Sequence, residues 1–299
     1  MSKKTKVIVT GGAGFIGSNL VDALVVEGFD VHVIDNLSGG KKENVNKKAR
    51  LHIADITDFK KIKPIFKRAE YVFHLAALPR VQYSIEHPDI TNEANVKGTL
   101  NVLMAANDAG VKKVIYSASS SAYGDQKVMP LKEDMDANPK SPYGLQKYIG
   151  EMYCKLFSEV YGLPTVSLRY FNVYGPRQSA EGAYALVIAK FLKQKAEGKP
   201  MTITGNGKQT RDFTHVSDIA RANVLAMKSK KVGKGEAINI GCGRNQSVNK
   251  IAELIGGKTA YIPARLEPKD TLADNKLAKK LIGWTPKVKI EEGISWLKE

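Results

Sequence analysis

The sequence predicts an α/β fold, a doubly wound parallel sheet that carries a smaller C-terminal lobe. Three observations predict it. Short apolar runs alternate with helical segments through the first half of the chain, and parallel strands need such long crossovers between them. The runs are apolar at consecutive positions, as in Val7-Ile8-Val9, which suits a sheet buried on both faces rather than one half-exposed. After Gly175-Pro176 the alternation loosens into turn-rich stretches such as Thr204-Gly-Asn-Gly-Lys208, so a second unit is expected there.

Val7–Thr10 reads as the first strand, and Ile16–Glu27 as a helix stopped at Gly28. Val31–Asp35 and Leu51–Ala54 follow as strands, then a helix near Phe59–Lys67 and a strand Tyr71–Ala76. A helix over Asn92–Ala109 leads to the strand Val114–Ser117. Pro142–Tyr161 is a long helix, with proline at its start where a missing N–H costs nothing, and Thr165–Tyr170 is the next strand. A helix near Tyr184–Lys195 opens the looser part. The expected division is 1–172 for the sheet domain, with segments near 213–240 returning to it, and 173–299 for the lobe.

The 299 residues are 43% hydrophobic and 25% charged, enough apolar material for a sizeable core. No apolar run approaches the ~20 residues of a membrane helix. The first residues lead directly into a strand, so no signal peptide is expected. Only Cys154 and Cys242 are present, far apart and outside metal-ligand spacing, so a reducing cytoplasm is the expected location and no metal is expected. The net charge of +16 raises the question of nucleic acid. Its lysines are scattered as pairs, Lys41-Lys42 and Lys279-Lys280 among them, without interleaved aromatics or a recognition motif. Neither nucleic acid nor membrane is expected as a partner; the excess suits a basic surface with some attraction for an anionic substrate.

Gly11-Gly-Ala-Gly14-Phe-Ile-Gly17 joins the first strand to the first helix. A pyrophosphate can approach backbone only where side chains are missing, and a helix N-terminus offers it free N–H groups and a positive dipole end. Gly17 lets the helix pack closely on the sheet. Asp35 ends the second strand, 18 residues after Gly17, where a carboxylate accepts from the adenosine ribose and repels the extra phosphate of NADP. Asp35 could alternatively do no more than open the turn that runs to Gly40. Strand, glycines and spacing together predict a Rossmann-type NAD site.

Tyr143 and Lys147 are four apart in a helix and share one face. A phenol of pKa about 10 is a poor base at neutral pH. A nearby ammonium, with the positive nicotinamide, is expected to lower that value. Ser119-Ser120-Ser121 follows a strand at its carboxyl end, where a hydroxyl can pass a hydrogen bond between substrate and tyrosine.

These residues make the chain resemble the extended short-chain dehydrogenase/reductase family, and within it the UDP-sugar 4-epimerases. The resemblance continues through Ala54-Asp-Ile56, His74-Leu-Ala-Ala77, Asn95-Val-Lys-Gly-Thr99, Leu168-Arg-Tyr-Phe-Asn-Val-Tyr-Gly-Pro176, Thr210-Arg-Asp-Phe213 and Leu272-Ala-Asp274. It implies a cofactor lined by Gly11, Gly14, Phe15, Ile16, Gly17, Asp35, Asn36, Ser38, Asp55, Ile56, Leu75, Ala76, Ala77, Asn95, Ser117, Tyr143, Lys147 and Tyr170. It implies Ser119, Tyr143 and Lys147 as the catalytic serine, base and ribose-holding lysine. On the substrate side it implies Ser84, Ser119, Ser120, Ser121, Tyr143 and Asn172, with Thr202 and Ile203 cradling uracil and Arg211 and Arg265 clamping the diphosphate. Arg211 beside Asp212 also reads as a plain surface ion pair.

The resemblance further implies a mechanism: Tyr143 takes the 4-hydroxyl proton, NAD takes the 4-hydrogen as hydride, the 4-keto sugar turns, and hydride returns to its other face. Related dehydratases and decarboxylases place acidic residues after the catalytic serine or threonine, where this chain has Ser120 and Ser121. Non-catalytic NAD-binding sensors of the family typically lose the tyrosine or lysine, and both are here. Thr271 aligns with a position where epimerases restricted to glucose and galactose carry a bulky aromatic, and Gly182-Ala-Tyr-Ala185 is similar to N-acetyl-accepting relatives. UDP-GlcNAc and UDP-GalNAc are therefore the expected pair, with UDP-Glc and UDP-Gal secondary. A homodimer, paired through the helices near Asn92–Ala109 and Pro142–Tyr161, is implied by resemblance alone.

Overall fold

The computed structural model describes residues 4–180, 186–264 and 270–298. Seven strands form one sheet: β1 (Lys6–Thr10), β2 (Asp30–Asp35), β3 (Arg50–Ile53), β4 (Tyr71–His74), β5 (Lys113–Ser119), β6 (Thr165–Tyr170) and β7 (Lys234–Ile240). Their order is β7-β6-β5-β4-β1-β2-β3, every pair parallel. The chain winds outward from β1 to β3, then crosses to β4 on the other side of β1. That reversal opens a crevice at the carboxyl ends of β1 and β4, the place where such sheets bind ligands.

Consecutive apolar residues serve both faces. Val7 and Val9 enter one core, with Val31, Val33 and the helices α1 (Phe15–Val26) and α5 (Val216–Lys228). Ile8 enters the opposite core, with Ile34 and residues of α2 (Gly98–Asp108) and α3 (Pro142–Tyr161). Leu20, Val21 and Leu24 line the buried face of α1, each stabilising the fold by about 1.5–3 kcal/mol relative to exposure. A third core joins α4 (Val187–Ala196), α6 (Val248–Ile255) and the parallel pair Met201–Thr204 and Thr259–Ile262, through Phe191, Ile203 and Ile251. The chain then returns to the large sheet: Ala278, Ile282 and Trp284 pack into the first core. Buried Asp218 fastens this return, its carboxylate accepting from the backbone N–H of Lys287 at 2.9 Å and of Val288 at 3.0 Å.

α3 has the bounds that its sequence predicts. Ser141 caps it, accepting from the N–H of Gly144 at 3.1 Å, Pro142 occupies the first turn, and Gly162 ends it with φ +68°. Two expectations shift. β4 ends at His74, because the N–H of Leu75 turns to the carbonyl of Thr10 and that of Ala76 to its hydroxyl. The helix expected over Asn92–Ala109 starts earlier, at Pro88–Asn92, and opens into a π-type turn at Glu93–Lys97 before α2. Such wide turns commonly sit at functional sites.

Candidate active site

The glycine loop explains itself position by position. Gly11 has φ +70°, and a Cβ there would lie 2.6 Å from the N of Ala76. A Cβ on Gly17 would lie 2.1 Å from the carbonyl oxygen of Gly11, so helix and loop touch only because this residue is glycine. Gly14 differs: its φ is −79°, and a Cβ would meet only one atom, at 3.3 Å. Neither its own conformation nor its packing demands glycine, whereas a phosphate approaching from the open side does. Gly14 is also the N-cap of α1, which has no side-chain cap and no acidic residue in its first turn. Donors and dipole are thus left for an anion.

Asp35 is 8% exposed at the end of β2, its carboxylate accepting from Ala13 N at 2.9 Å and Leu37 N at 2.8 Å. One bond per oxygen leaves lone pairs for a ribose diol. Beside it Asn36 donates to Asp55 at 2.7 Å and accepts from the hydroxyl of Ser38, also at 2.7 Å. Burial pushes the Asp55 carboxyl upward, but hydrogen bonds from Thr57 and Asn36 outweigh it and hold the group below the usual range. Ile56 turns its side chain into the core, packed against Gly98 so closely that a Cβ there would come within 2.5 Å. Loop, uncapped helix and ribose-ready carboxylate together fit an adenine dinucleotide.

At the end of β5, Ser119 accepts from Ser121 N at 3.2 Å and from the Ser121 hydroxyl at 2.8 Å. Ser120 lies between them in the same short 3-10 turn. Lys147, one turn along α3 from Tyr143, is 4% exposed and donates to the carbonyl of Ser117 at 2.8 Å. Tyr170, in the neighbouring β6, exchanges hydrogen bonds with Asn223. Burial lowers the Lys147 ammonium to about 8.

The expected lowering of the Tyr143 pKa is corrected for the protein alone: burial raises the phenol to about 12, against the opposing influence of the Ser119 hydroxyl. Lys147 is turned to a backbone carbonyl and is itself desolvated, so loss of water around the phenol dominates.

Sequence reasoning missed a polar chain behind these groups. Ala76 N–H donates to the Thr10 hydroxyl (3.2 Å), which lies 2.7 Å from Nδ1 of His74, and Nε2 of His74 lies 2.9 Å from the Thr99 hydroxyl. Thr99 in turn donates to the carbonyl of Asn95 at 2.6 Å. The directions are consistent if Nδ1 accepts and Nε2 donates, the tautomer that this network assigns. Burial and the nearby Lys147 charge push His74 down to about 3, so it stays neutral. Asn95, in the π-type turn, holds the loop after β4 through both the N–H and the carbonyl of Leu78, and donates to Gln146 at 2.8 Å. Gln146, between Tyr143 and Lys147, thereby ties the catalytic helix to the loop bearing Leu75, Ala76 and Ala77. Its polarity inside a buried helix face was the available signal.

On the other side, Asn172 follows β6 with φ +25° and donates to the Thr271 hydroxyl at 3.2 Å. Arg211 sits on the short strand Thr210–Arg211, donating to the carbonyl of Thr210. The surface-ion-pair reading of Arg211 with Asp212 is corrected: Asp212 is 0% exposed and accepts from Cys242 N, Gly243 N and Ala273 N at 2.7, 2.9 and 3.1 Å. Burial raises its carboxyl to about 6, against those three bonds and the Arg244 charge. Ser84 is wholly buried, its hydroxyl donating to Val81 O and accepting from Tyr143 N, so it braces the catalytic helix. Ile203 points into the third core, and Thr202 is held by Gln194 through its N–H and its hydroxyl. Arg265 and Gly182–Ala185 lie outside the described residues.

The family model described as "NAD dependent epimerase/dehydratase family" matches residues 7–241. Among solved structures, the chain is similar to a UDP-glucose 4-epimerase from Thermotoga maritima, solved with UDP-glucose, at 42% identity, TM-score 0.92, covering 97% of this chain and 96% of that one. It is similar to a UDP-N-acetylglucosamine 4-epimerase from Methanobrevibacter ruminantium, in complex with UDP-N-acetylmuramic acid, at 40% identity and TM-score 0.93, covering 99% and 98%. A UDP-glucuronic acid 4-epimerase from Bacillus cereus, in complex with UDP-glucuronic acid and NAD, matches at 33% identity and TM-score 0.89, covering 97% of each.

Proposed function

The chain belongs to the NAD dependent epimerase/dehydratase family, and from that premise we propose that it interconverts UDP-GlcNAc and UDP-GalNAc, with UDP-Glc and UDP-Gal as a secondary pair, through a transient 4-keto sugar. At the coarser level it is an isomerase, an NAD-dependent UDP-sugar 4-epimerase. The observation that carries the N-acetyl reading is Thr271, a small side chain bonded to Asn172. An aromatic there would occupy the space beside Asn172; threonine leaves room for a 2-acetamido group.

When bound, NAD supplies a hydride acceptor at C4 of the sugar and later the donor to its opposite face. The chain's own residues do the rest. The glycine loop and the α1 N-terminus would hold the pyrophosphate, Asp35 the adenosine ribose, and Lys147 the other ribose with its remaining donors. Tyr143 removes and returns the 4-hydroxyl proton, and Ser119 orients that hydroxyl. Asn172 and Arg211 would hold the diphosphate, a guanidinium offering it forked donors, while the sugar turns between the two deliveries. We divide the chain accordingly into an NAD-binding part, 1–172 with segments near 213–240, and a nucleotide-sugar lobe within 173–299. Residues 276–284 also pack on the first part. The homodimer is a further part of this proposal. Leu145, Met152, Leu156 and Val160 form an exposed stripe on α3, and Met104 is exposed on neighbouring α2. α3 already buries its other face, so a second copy of the chain is the occupant we assign to the stripe.

The test is proton NMR of purified protein with UDP-GlcNAc, UDP-Glc and UDP-glucuronate in separate tubes. UDP-GalNAc should form fastest, without added NAD if the cofactor is retained and with it otherwise. Conversion of UDP-Glc alone would sink the Thr271 argument, and conversion of the uronate alone would move the assignment to a uronate epimerase.

A further inference from the structure

Four segments meet behind the face that Asn172, Arg211 and Thr271 present. They are the end of β6, the stretch Thr210–Phe213, the loop after β7 and the stretch from Asp270 to Asn275. Asp212 lies at their junction with no exposed surface. Its Oδ1 accepts from Cys242 N, and its Oδ2 from both Gly243 N and Ala273 N. Its own N–H donates to the Thr271 hydroxyl at 3.3 Å, the same oxygen that receives the side-chain amide of Asn172. The fit is tight: a Cβ on Gly241 would come 3.1 Å from Oδ2 and 2.5 Å from the Cβ of Ala273.

Resting on the epimerase reading, we infer that Asp212 is a positioning residue for the nucleotide-sugar diphosphate: it sets the register of Asn172, Arg211 and Thr271 without touching the substrate. Three N–H groups converging on two oxygens specify a carboxylate. An amide of the same shape offers one acceptor and, on its other atom, a donor that faces a donor. The loop after β7 and the Thr271–Ala273 stretch then lose their common anchor, while the NAD crevice across β1 and β4 keeps its contacts. The expected signature is weaker nucleotide binding with the chemistry largely intact, which general loss of stability would not give.

Asp212→Asn should raise the KM for UDP-GlcNAc at least tenfold and weaken UDP binding by a similar factor in calorimetry, with kcat within threefold and NAD content unchanged. If the variant fails to fold, hydrogen exchange on the wild type replaces it: UDP should slow exchange in peptides spanning residues 241–243 and 271–273. A UDP affinity within twofold of wild type in Asp212→Asn, equal losses of kcat and NAD content, or no change in those peptides would overturn the inference. Wild-type protein that neither binds UDP nor epimerises any UDP-sugar would instead overturn the functional reading beneath it.

Discussion

Tyr143 and Lys147 show how one burial acts on two groups in opposite senses. It raises the phenol to about 12 and lowers the ammonium to about 8, in each case favouring the neutral form. For Lys147 the sign of the stability effect follows. The unfolded chain holds this proton up to about 10.4, the folded chain only to about 8. Between those values the unfolded state binds more protons, so stability rises with pH, while below about 8 the full cost of the buried charge is present. Lys147→Met, with cofactor removed, should therefore be more stable than wild type by roughly 1–3 kcal/mol at pH 7. The gap should shrink toward pH 10, and kcat should fall at least ~100-fold. Urea titrations at the two pH values check this; an unchanged gap would show that Lys147 is not the titrating group. The pair itself was legible in sequence because it is local, four residues apart on one helix. Gln146, His74 and Asp212 were not, since their partners lie 25 to 64 positions away in no particular spacing, Asn95 and Gln146 being 51 apart.

Elements were legible where termination is chemical and local. Ser141, Pro142 and Gly162 bound α3 with cap, first-turn proline and left-handed stop, and the sequence carries all three. The π-type turn at Glu93–Lys97 has no such sign. Its Asn95 is held by Leu78 and Gln146, long-range bonds that outweigh the propensity of a helix to continue. The exposed stripe on α3 belongs to this scale too: Leu145, Met152, Leu156 and Val160 recur at spacings of seven, four and four along one helical face. If a second copy covers it, Leu156→Glu with Val160→Lys should convert a dimer to a monomer in sedimentation. A wild-type monomer at micromolar concentration would contradict the assignment.

At the scale of the whole molecule, the sheet order places the ends of β1 to β4 on one side and those of β5 to β7 on the other, the sides that the proposed function gives to the cofactor and to the reacting groups and substrate. The parallel architecture was readable from the alternation of strands and helices. The return of residues 276–284 to the first core was not, because Trp284 and Asp218 are joined by hydrogen bonding across 66 positions. The excess of positive charge suits an anionic nucleotide sugar but decides nothing about the reaction. What decides it is the fate of one hydrogen. UDP-GlcNAc deuterated at C4 should be incubated in ordinary water and the product followed by NMR and mass spectrometry. UDP-GalNAc should form with its deuterium kept at C4, since the hydride leaves and returns within one closed site. Product that has exchanged the label with water, or that has lost water or carbon dioxide, would contradict the proposed function.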